Sequence, residues 1–424
     1  MLRIKTSYPL FLICIWQFFL FIFTISALAE TTYIPTSPTQ IFESFWQEAK
    51  SKIYPIEHEK EFFTEKKYQT LKEKAEYANN IYDLTPVINQ FLKSLRISHT
   101  QFYDNHSIDF YMFRSMFLTR DITLPKVNHI GTQYTIIDNH FVVREVLDGY
   151  PAAIAGIRRG DILLESNGKS FHPYHSFNPN GKNIQVRFLR NQKILSLHID
   201  AISENPNYSF YKAMLHSKRI YEIKGKKVGY IHLWSGTHKN ILSMFTKIIN
   251  NEFHDNDGII LDLRGGFGGA WYDYLDPFFS DRKNFFEYTW IDRKGKSVLH
   301  KPEFKTNPSY FSGPMVVLIN EGVRSGKEAL AYQFKKSKRA TLIGTKTKGA
   351  FSVGRGIFNK EKQPYFLYLA TAELLLDNNK IEGFGIYPNI QIPYPLQKNT
   401  ATDPQLEAAL LEIAKKLESN INKQ

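Results

Sequence analysis

The chain reads as an α/β protein: a core built on a mainly parallel sheet, an N-terminal helical layer and an inserted β-rich module. Three observations predict this. Residues 39–96 carry apolar side chains at helical spacing, and residues 127–201 break into short alternating runs separated by turn dipeptides. Residues 208–395 alternate apolar strand-length runs with helical stretches, as a parallel sheet covered by helices requires.

At the N-terminus, Arg3 and Lys5 precede an apolar run over residues 10–25, broken by Gln17 and Thr24. Ala27-Leu28-Ala29 before Glu30 has the small-x-small form of a cleavage site. Residues 1–29 are therefore expected to be a signal peptide directing export to a periplasm-like compartment, with an uncleaved inner-membrane anchor as the alternative. The sole cysteine, Cys14, lies in this segment, so the expected mature chain of 395 residues (424 − 29) must be held by its cores rather than by disulfides. Hydrophobic residues at 43% and aromatics at 15% are sufficient for that. The net charge of +13 accompanies no zinc-finger spacing, phosphate-cradling loop or aromatic-interleaved basic strip. Nucleic acid is thus not an expected partner. The charge reads as solvated surface suited to an acidic membrane envelope.

The helical layer, within residues 30–120, presents one stripe at Ile41, Phe45 and Ala49 and another at Val87, Phe91 and Leu95. It ends at Ser98-His99, where a lone histidine is ordinarily a cap or a solvated ring. Strands follow at residues 134–137, 141–146, 161–166, 184–189 and 194–199, with turns at Asp138-Asn139, Asn167-Gly168 and Arg190-Asn191 and one short helix at 151–156. In the core, strands are expected at 228–233, 258–263, 315–319 and 341–343, with an amphipathic helix at 240–253 and a final helical segment within 396–424.

Sites in such sheets form beyond the carboxyl ends of the strands. Two ends stand out. One is Asp262-Leu263-Arg264-Gly265-Gly266-Phe267-Gly268-Gly269, whose glycines allow close backbone approach and free N–H groups. The other is the turn before Ser325, which puts a hydroxyl at a strand-to-helix junction. From that stretch alone Ser325 is foremost a helix N-cap, with a nucleophile as the rival. No His, Asp or Glu spacing suggests a metal, and no cofactor motif is present.

The stretch VREVLDGYPAAIAGIRRGDILLESNGKSF resembles a PDZ domain of bacterial proteases, over residues 127–201. The resemblance implies an added peptide strand and a carboxylate nest at Ile130-Gly131-Thr132-Gln133, although that loop departs from the usual glycine-and-aromatic wording, so a structural or gating role stands beside it. The strand followed by DLRGGFGG, then NEGVRSGKEAL and TLIGTKTKGA, resembles the tail-specific, or C-terminal processing, peptidase family. That resemblance implies Ser325, three residues before Glu328, as nucleophile. The lysine base of the processing branch is missing, since 325 + 25 falls on Ala350. Ser98-His99 ahead of the PDZ-like region, and Glu382-Gly383-Phe384-Gly385-Ile386-Tyr387-Pro388, instead resemble the tricorn-core branch. By that resemblance His99 is the base, and Glu382 and Ser98 complete a tetrad in a catalytic core at 208–395.

The chemistry is coherent: a serine needs a neighbouring base, the base a partner that fixes its tautomer, and the developing oxyanion N–H donors. Those donors are expected from Gly326 and from Gly268 or Gly269. The implied activity is serine-type hydrolysis of peptides or unfolded protein tails. Kept as alternatives are a non-catalytic relative binding peptide or apolar ligand, an esterase-like activity of the same residues, and a Ser/Lys mechanism through Lys327 or Lys348. Oligomeric state leaves no mark in the sequence.

Overall fold

The computed structural model describes residues 37–117, 125–357, 364–396 and 402–421. The expected signal peptide, its cleavage site and Cys14 lie outside the described residues. Among the described residues no helix is long and apolar enough to cross a membrane.

The helical layer comprises Pro38–Lys52, Ile56–Phe62, Glu65–Glu76 and Ile81–Ser94. The first helix opens with a reciprocal cap, Ser37 and Gln40 each satisfying the other's backbone N–H. Ile41, Phe45 and Ala49 are buried with Phe42 and Trp46, packing against Phe63, Phe91 and Phe102. The same cluster includes Tyr365, Leu367 and Leu369. They belong to the strand Tyr365–Leu376, which pairs antiparallel with Gln101–Asp104, Tyr288–Ile291 and Val353–Ile357. This antiparallel sheet departs from the sequence reading, in which residues 208–395 simply alternate strand and helix. Tyr365–Leu376 is apolar nearly throughout because it is buried against the helical layer on one side and Phe113 on the other, so its two-residue period is erased.

Residues 132–199 form a five-stranded antiparallel run in sequence order: Thr132–Ile137, His140–Val146, Ile162–Ser166, Ile184–Arg190 and Lys193–Ile199. Asp138 and Asn139 both adopt positive φ, as a two-residue hairpin turn demands. These strands enclose their own apolar cluster, including Val143, Leu163, Val186 and Phe188.

The core sheet runs in the order Arg219–Ile223, Lys226–His232, Gly258–Asp262, Met315–Ile319, Thr341–Gly344, Ile390–Gln391. Its first pair is antiparallel and every later pair parallel. Met315, Val317 and Ile319 face the helix side with Leu330 and Phe334, while Val316 and Leu318 face Ala409 and Ile413 of the C-terminal helix Pro404–Ile421. Burial of both faces explains the unbroken apolar run at Met315–Ile319.

At the carboxyl end of Gly258–Asp262, burial pushes the Asp262 carboxyl up, but Arg264 beside it more than offsets this and holds it well below the usual carboxylate range. Arg264 also reaches Asp403 and Gln405 at the start of the C-terminal helix. Replacing Arg264 with Met leaves Asp262 buried beyond the reach of its guanidinium; urea unfolding is expected to show a loss of about 3–5 kcal/mol.

Candidate active site

Ser325 stands at the N-cap of the helix Gly326–Lys336, with φ 54° and ψ −135°. The caps at Ser37, Thr64 and Asn80 are all extended with negative φ, so capping alone does not require this geometry. A non-glycine residue at positive φ is held there by its surroundings. The Ser325 N–H donates to the Ala350 carbonyl at 2.8 Å and to Glu328 Oε2 at 3.2 Å. Glu328 is fully buried and also accepts from Thr347 Oγ1, Gly349 N and Ala350 N. Burial pushes its carboxyl up to about 7 against the pull of those donors.

The glycine loop lies directly against this junction. A Cβ on Gly268 would stand 2.6 Å from Ser325 Cβ, and one on Gly326 only 2.0 Å from the Ala270 carbonyl oxygen, so neither position tolerates a side chain. The N–H groups of Gly268, Gly269 and Gly326 have no partner among the described residues. Lys327 is fully buried and points behind the loop, donating to the carbonyls of Leu233, Trp234 and Gly265 at 3.2, 3.1 and 2.7 Å. Burial lowers its amine to about 7. Lys348 is exposed, with its N–H on the Val323 carbonyl.

Glu382, Ser98 and His99 form one hydrogen-bonded chain. Glu382 accepts from Ser98 N at 2.8 Å, Ser98 Oγ at 2.7 Å, Phe351 N at 2.6 Å and Ser352 N at 2.9 Å. Ser98 Oγ lies 2.9 Å from His99 Nδ1. Because the Ser98 hydroxyl proton is committed to the carboxylate, its lone pair accepts from Nδ1–H, and this network assigns the proton to Nδ1 and the free lone pair to Nε2. Burial pulls the His99 pKa down to about 4, with Glu382 raising it and Arg324 lowering it further. Among the described residues no hydrogen bond closes between His99 Nε2 and Ser325 Oγ. What joins the two halves is the backbone at 350–352: Ala350 holds the Ser325 N–H, and the next two amides hold Glu382.

The Ile130-Gly131-Thr132-Gln133 loop behaves differently from a free carboxylate nest. The Gly131 N–H is already taken by His129 Nδ1, and Thr132 is paired in the strand with Val146. Gln133 instead reaches the glycine loop, accepting from Gly266 N at 2.7 Å and donating to Gly266 O at 3.2 Å. Sequence reasoning missed this link, the amides of Phe351 and Ser352, and Arg144, whose side chain lines a cavity with Arg324. None of these carries a local signal, since each acts through backbone atoms or across more than a hundred residues. His232 is stacked on Trp234 and bonded to the Arg264 carbonyl, and His238 caps the helix Lys239–Lys247. Among the described residues no group of His, Cys, Asp and Glu is arranged to hold a metal ion.

A strand–turn–helix serine facing a glycine loop, with a carboxylate–serine–histidine chain beside it, is an arrangement of hydrolytic enzymes. Residues 227–392 match the family model for peptidase family S41. Tricorn protease of Thermoplasma volcanium is 22% identical over 417 residues, 93% of this chain and 38% of that protein. The carboxy-terminal processing protease CtpA of Bacillus subtilis is 26% identical over 271 residues, 63% of this chain and 56% of that protein. Among solved structures, the photosystem II D1 C-terminal processing protease superposes with a TM-score of 0.54 at 17% identity, covering 89% of this chain and 97% of that one. Residues 227–392 are thus similar to peptidase family S41, the chain is similar to tricorn and CtpA-type proteases, and it spans about two fifths to just over half of the length of those two curated relatives.

Two measurements check the geometry. Carbon-13 NMR titration of labelled histidine is expected to place the His99 midpoint near 4, and Arg324→Gln to move it upward by removing a like charge. Lys327→Met strands three carbonyls without their buried donor; a loss of roughly 3 kcal/mol in denaturant unfolding is expected.

Proposed function

We propose that the protein is an exported serine peptidase that hydrolyses peptides or unfolded protein tails, with Ser325 as nucleophile and His99 as base. Export rests on the composition of residues 1–29. The observation that carries the catalytic reading is the Glu382–Ser98–His99 chain, which leaves a neutral Nε2 lone pair on a segment tied through residues 350–352 to the serine. In this reading His99 Nε2 takes the Ser325 proton as Oγ attacks the scissile carbonyl, then returns it to the leaving amine. Ser98 relays the imidazolium's charge to Glu382. Gly326 and Gly268 or Gly269 donate N–H groups to the oxyanion. The PDZ-like strands deliver the chain to the site. The hydrogen bond between His99 and Ser325 closes when substrate fills the site, as catalytic contacts commonly tighten only in the complex.

The second reading, a non-catalytic relative that binds peptide or apolar ligand, is favoured by one observation: the same unclosed His99–Ser325 contact. A single experiment separates the two. Incubation with a serine-directed phosphonate and a peptide mixture is expected to label Ser325 and yield cleavage; Ser325→Ala is expected to abolish labelling and lower kcat/KM by about four orders of magnitude, and Ser98→Ala by about two. Absence of both labelling and cleavage with folded wild-type protein rejects the peptidase reading.

A further inference from the structure

The five-stranded module meets the helical layer through a cluster of rings. Its loop at residues 172–175 brings His172, Tyr174 and His175. Against them stand Tyr82 of the helix Ile81–Ser94, His106 just after the strand Gln101–Asp104, and Tyr111 of the helix Ile108–Phe117. Ring centroids lie 4.6 Å apart for His172 and His175 and 5.1 Å apart for His106 and His175. Tyr82 stands 5.4–5.9 Å from all three imidazoles, and Tyr174 is stacked on Tyr111 at 6.3 Å. Two ring nitrogens here suit a neutral imidazole. His172 Nδ1 accepts from the backbone N–H groups of Tyr174 and His175, both at 3.2 Å, so a proton on it would break the hydrogen bonds of its own turn. His106 Nδ1 is buried with no partner among the described residues, so a proton placed there finds no acceptor.

One carboxylate stands against three imidazoles. Asp104, buried and accepting from His106 N at 2.8 Å, attracts both His172 and His175. The other elements packed here present neutral groups: phenols at Tyr82 and Tyr111, and Phe141 of the strand His140–Val146 against His172. Asp109 and Arg144 line the same cavity as Asp104 and His172, but they are set against Arg324 and each other. Burial lowers His172 to about 4, with His175 the next cause and Asp104 pulling the other way; burial and then His106 lower His175. We propose that His106, His172 and His175 form a pH-sensitive latch, closed while the rings are neutral, whose protonation releases the module from the helical layer. A histidine lowered by docking regains its ordinary value of about 6.5 once undocked, so it binds protons more readily in the released state. The docking it supports is fully present above that value and is lost as pH falls toward about 4. Because Gln133 of the module also holds Gly266 of the glycine loop, release reaches the candidate site. The latch goes beyond the peptidase reading and is read without turnover.

The test follows the position of the module in the full chain. With Cys14→Ser in place, pH-insensitive dyes are attached at Lys193→Cys in the module and Lys74→Cys in the helical layer, both exposed positions. Energy transfer between them is expected to change between about pH 6.5 and about pH 4, while circular dichroism keeps the folded signal. His129, in the strand Val127–His129 that leads into the module, is also lowered to about 4 by burial, so variants separate it from the latch. His172→Asn keeps a side-chain acceptor for the two N–H groups without a titrating ring. Combined with His106→Gln and His175→Gln, it is expected to move the midpoint down by about 0.5 pH or more, or to remove the transition. If the triple variant is not folded at neutral pH, His172→Asn alone must move the midpoint in the same direction. A midpoint unchanged in the folded variant, or constant energy transfer in the folded parent chain across this range, overturns the latch. So does a change in transfer that coincides with loss of the dichroism signal in parent and variant alike.

Discussion

The site depends on a short backbone segment, residues 347–352, stretched between two carboxylates. Glu328 takes the hydroxyl of Thr347 and the amides of Gly349 and Ala350; Glu382 takes the amides of Phe351 and Ser352. Each carboxylate also holds a piece of the candidate machinery, Glu328 the N–H of Ser325 and Glu382 both the N–H and hydroxyl of Ser98. Amides donated to carboxylates are among the stronger neutral-to-charged contacts available in a protein. The serine of the parallel core and the histidine of the helical layer are therefore registered through a shared segment that contributes no side chain to the chemistry. Ala350, at the position where the resemblance to the processing branch calls for a lysine, contributes only backbone groups to this connection.

The two charged residues flanking Ser325 have opposite fates. Lys327 turns inward and uses its three donors on carbonyls at the base of the glycine loop, a structural role that ties the loop to the helix following Ser325. Arg324 turns outward into the cavity and acts on His99 by charge. A cation next to a base favours the neutral imidazole, the form that accepts a proton. Where Gly268 meets Ser325, the nearest atoms are Ser325 Cβ and Oγ and the backbone carbonyl oxygen of Arg324, and not those of either flanking side chain.

How much of this was legible in the sequence follows from the range of each interaction. The strand Met315–Ile319 was readable to the residue because its apolar run and the following turn are local. The hairpin turns at Asp138-Asn139 and Asn167-Gly168 were readable because φ > 0 selects Asn, Asp and Gly. The strand Tyr365–Leu376 was not, since a run buried on both faces loses the alternation that marks a strand. Ser98, His99 and Glu382 could be singled out only through a resemblance, because they lie 284 residues apart at the Ser98–Glu382 contact and carry no local pattern. Gln133 was expected in a carboxylate nest, and its bond to Gly266 is invisible until the module is docked.

That bond bears on how the parts work together. Gln133 makes two hydrogen bonds to one residue of the glycine loop, and Glu145 of the same module accepts from Asn320, whose Oδ1 in turn accepts the N–H groups of Gly265 and Gly322. The glycine loop and the turn before Ser325 are consequently braced by side chains of the five-stranded module rather than by the core sheet alone. Gly266 allows no substitute here, since a Cβ would lie 1.8 Å from the Trp234 carbonyl oxygen, so the loop cannot acquire a side chain to brace itself. A displacement of the module large enough to break the Gln133 bonds would free the loop that packs against Ser325. The position of the module and the conformation of the loop are in this way one mechanical variable.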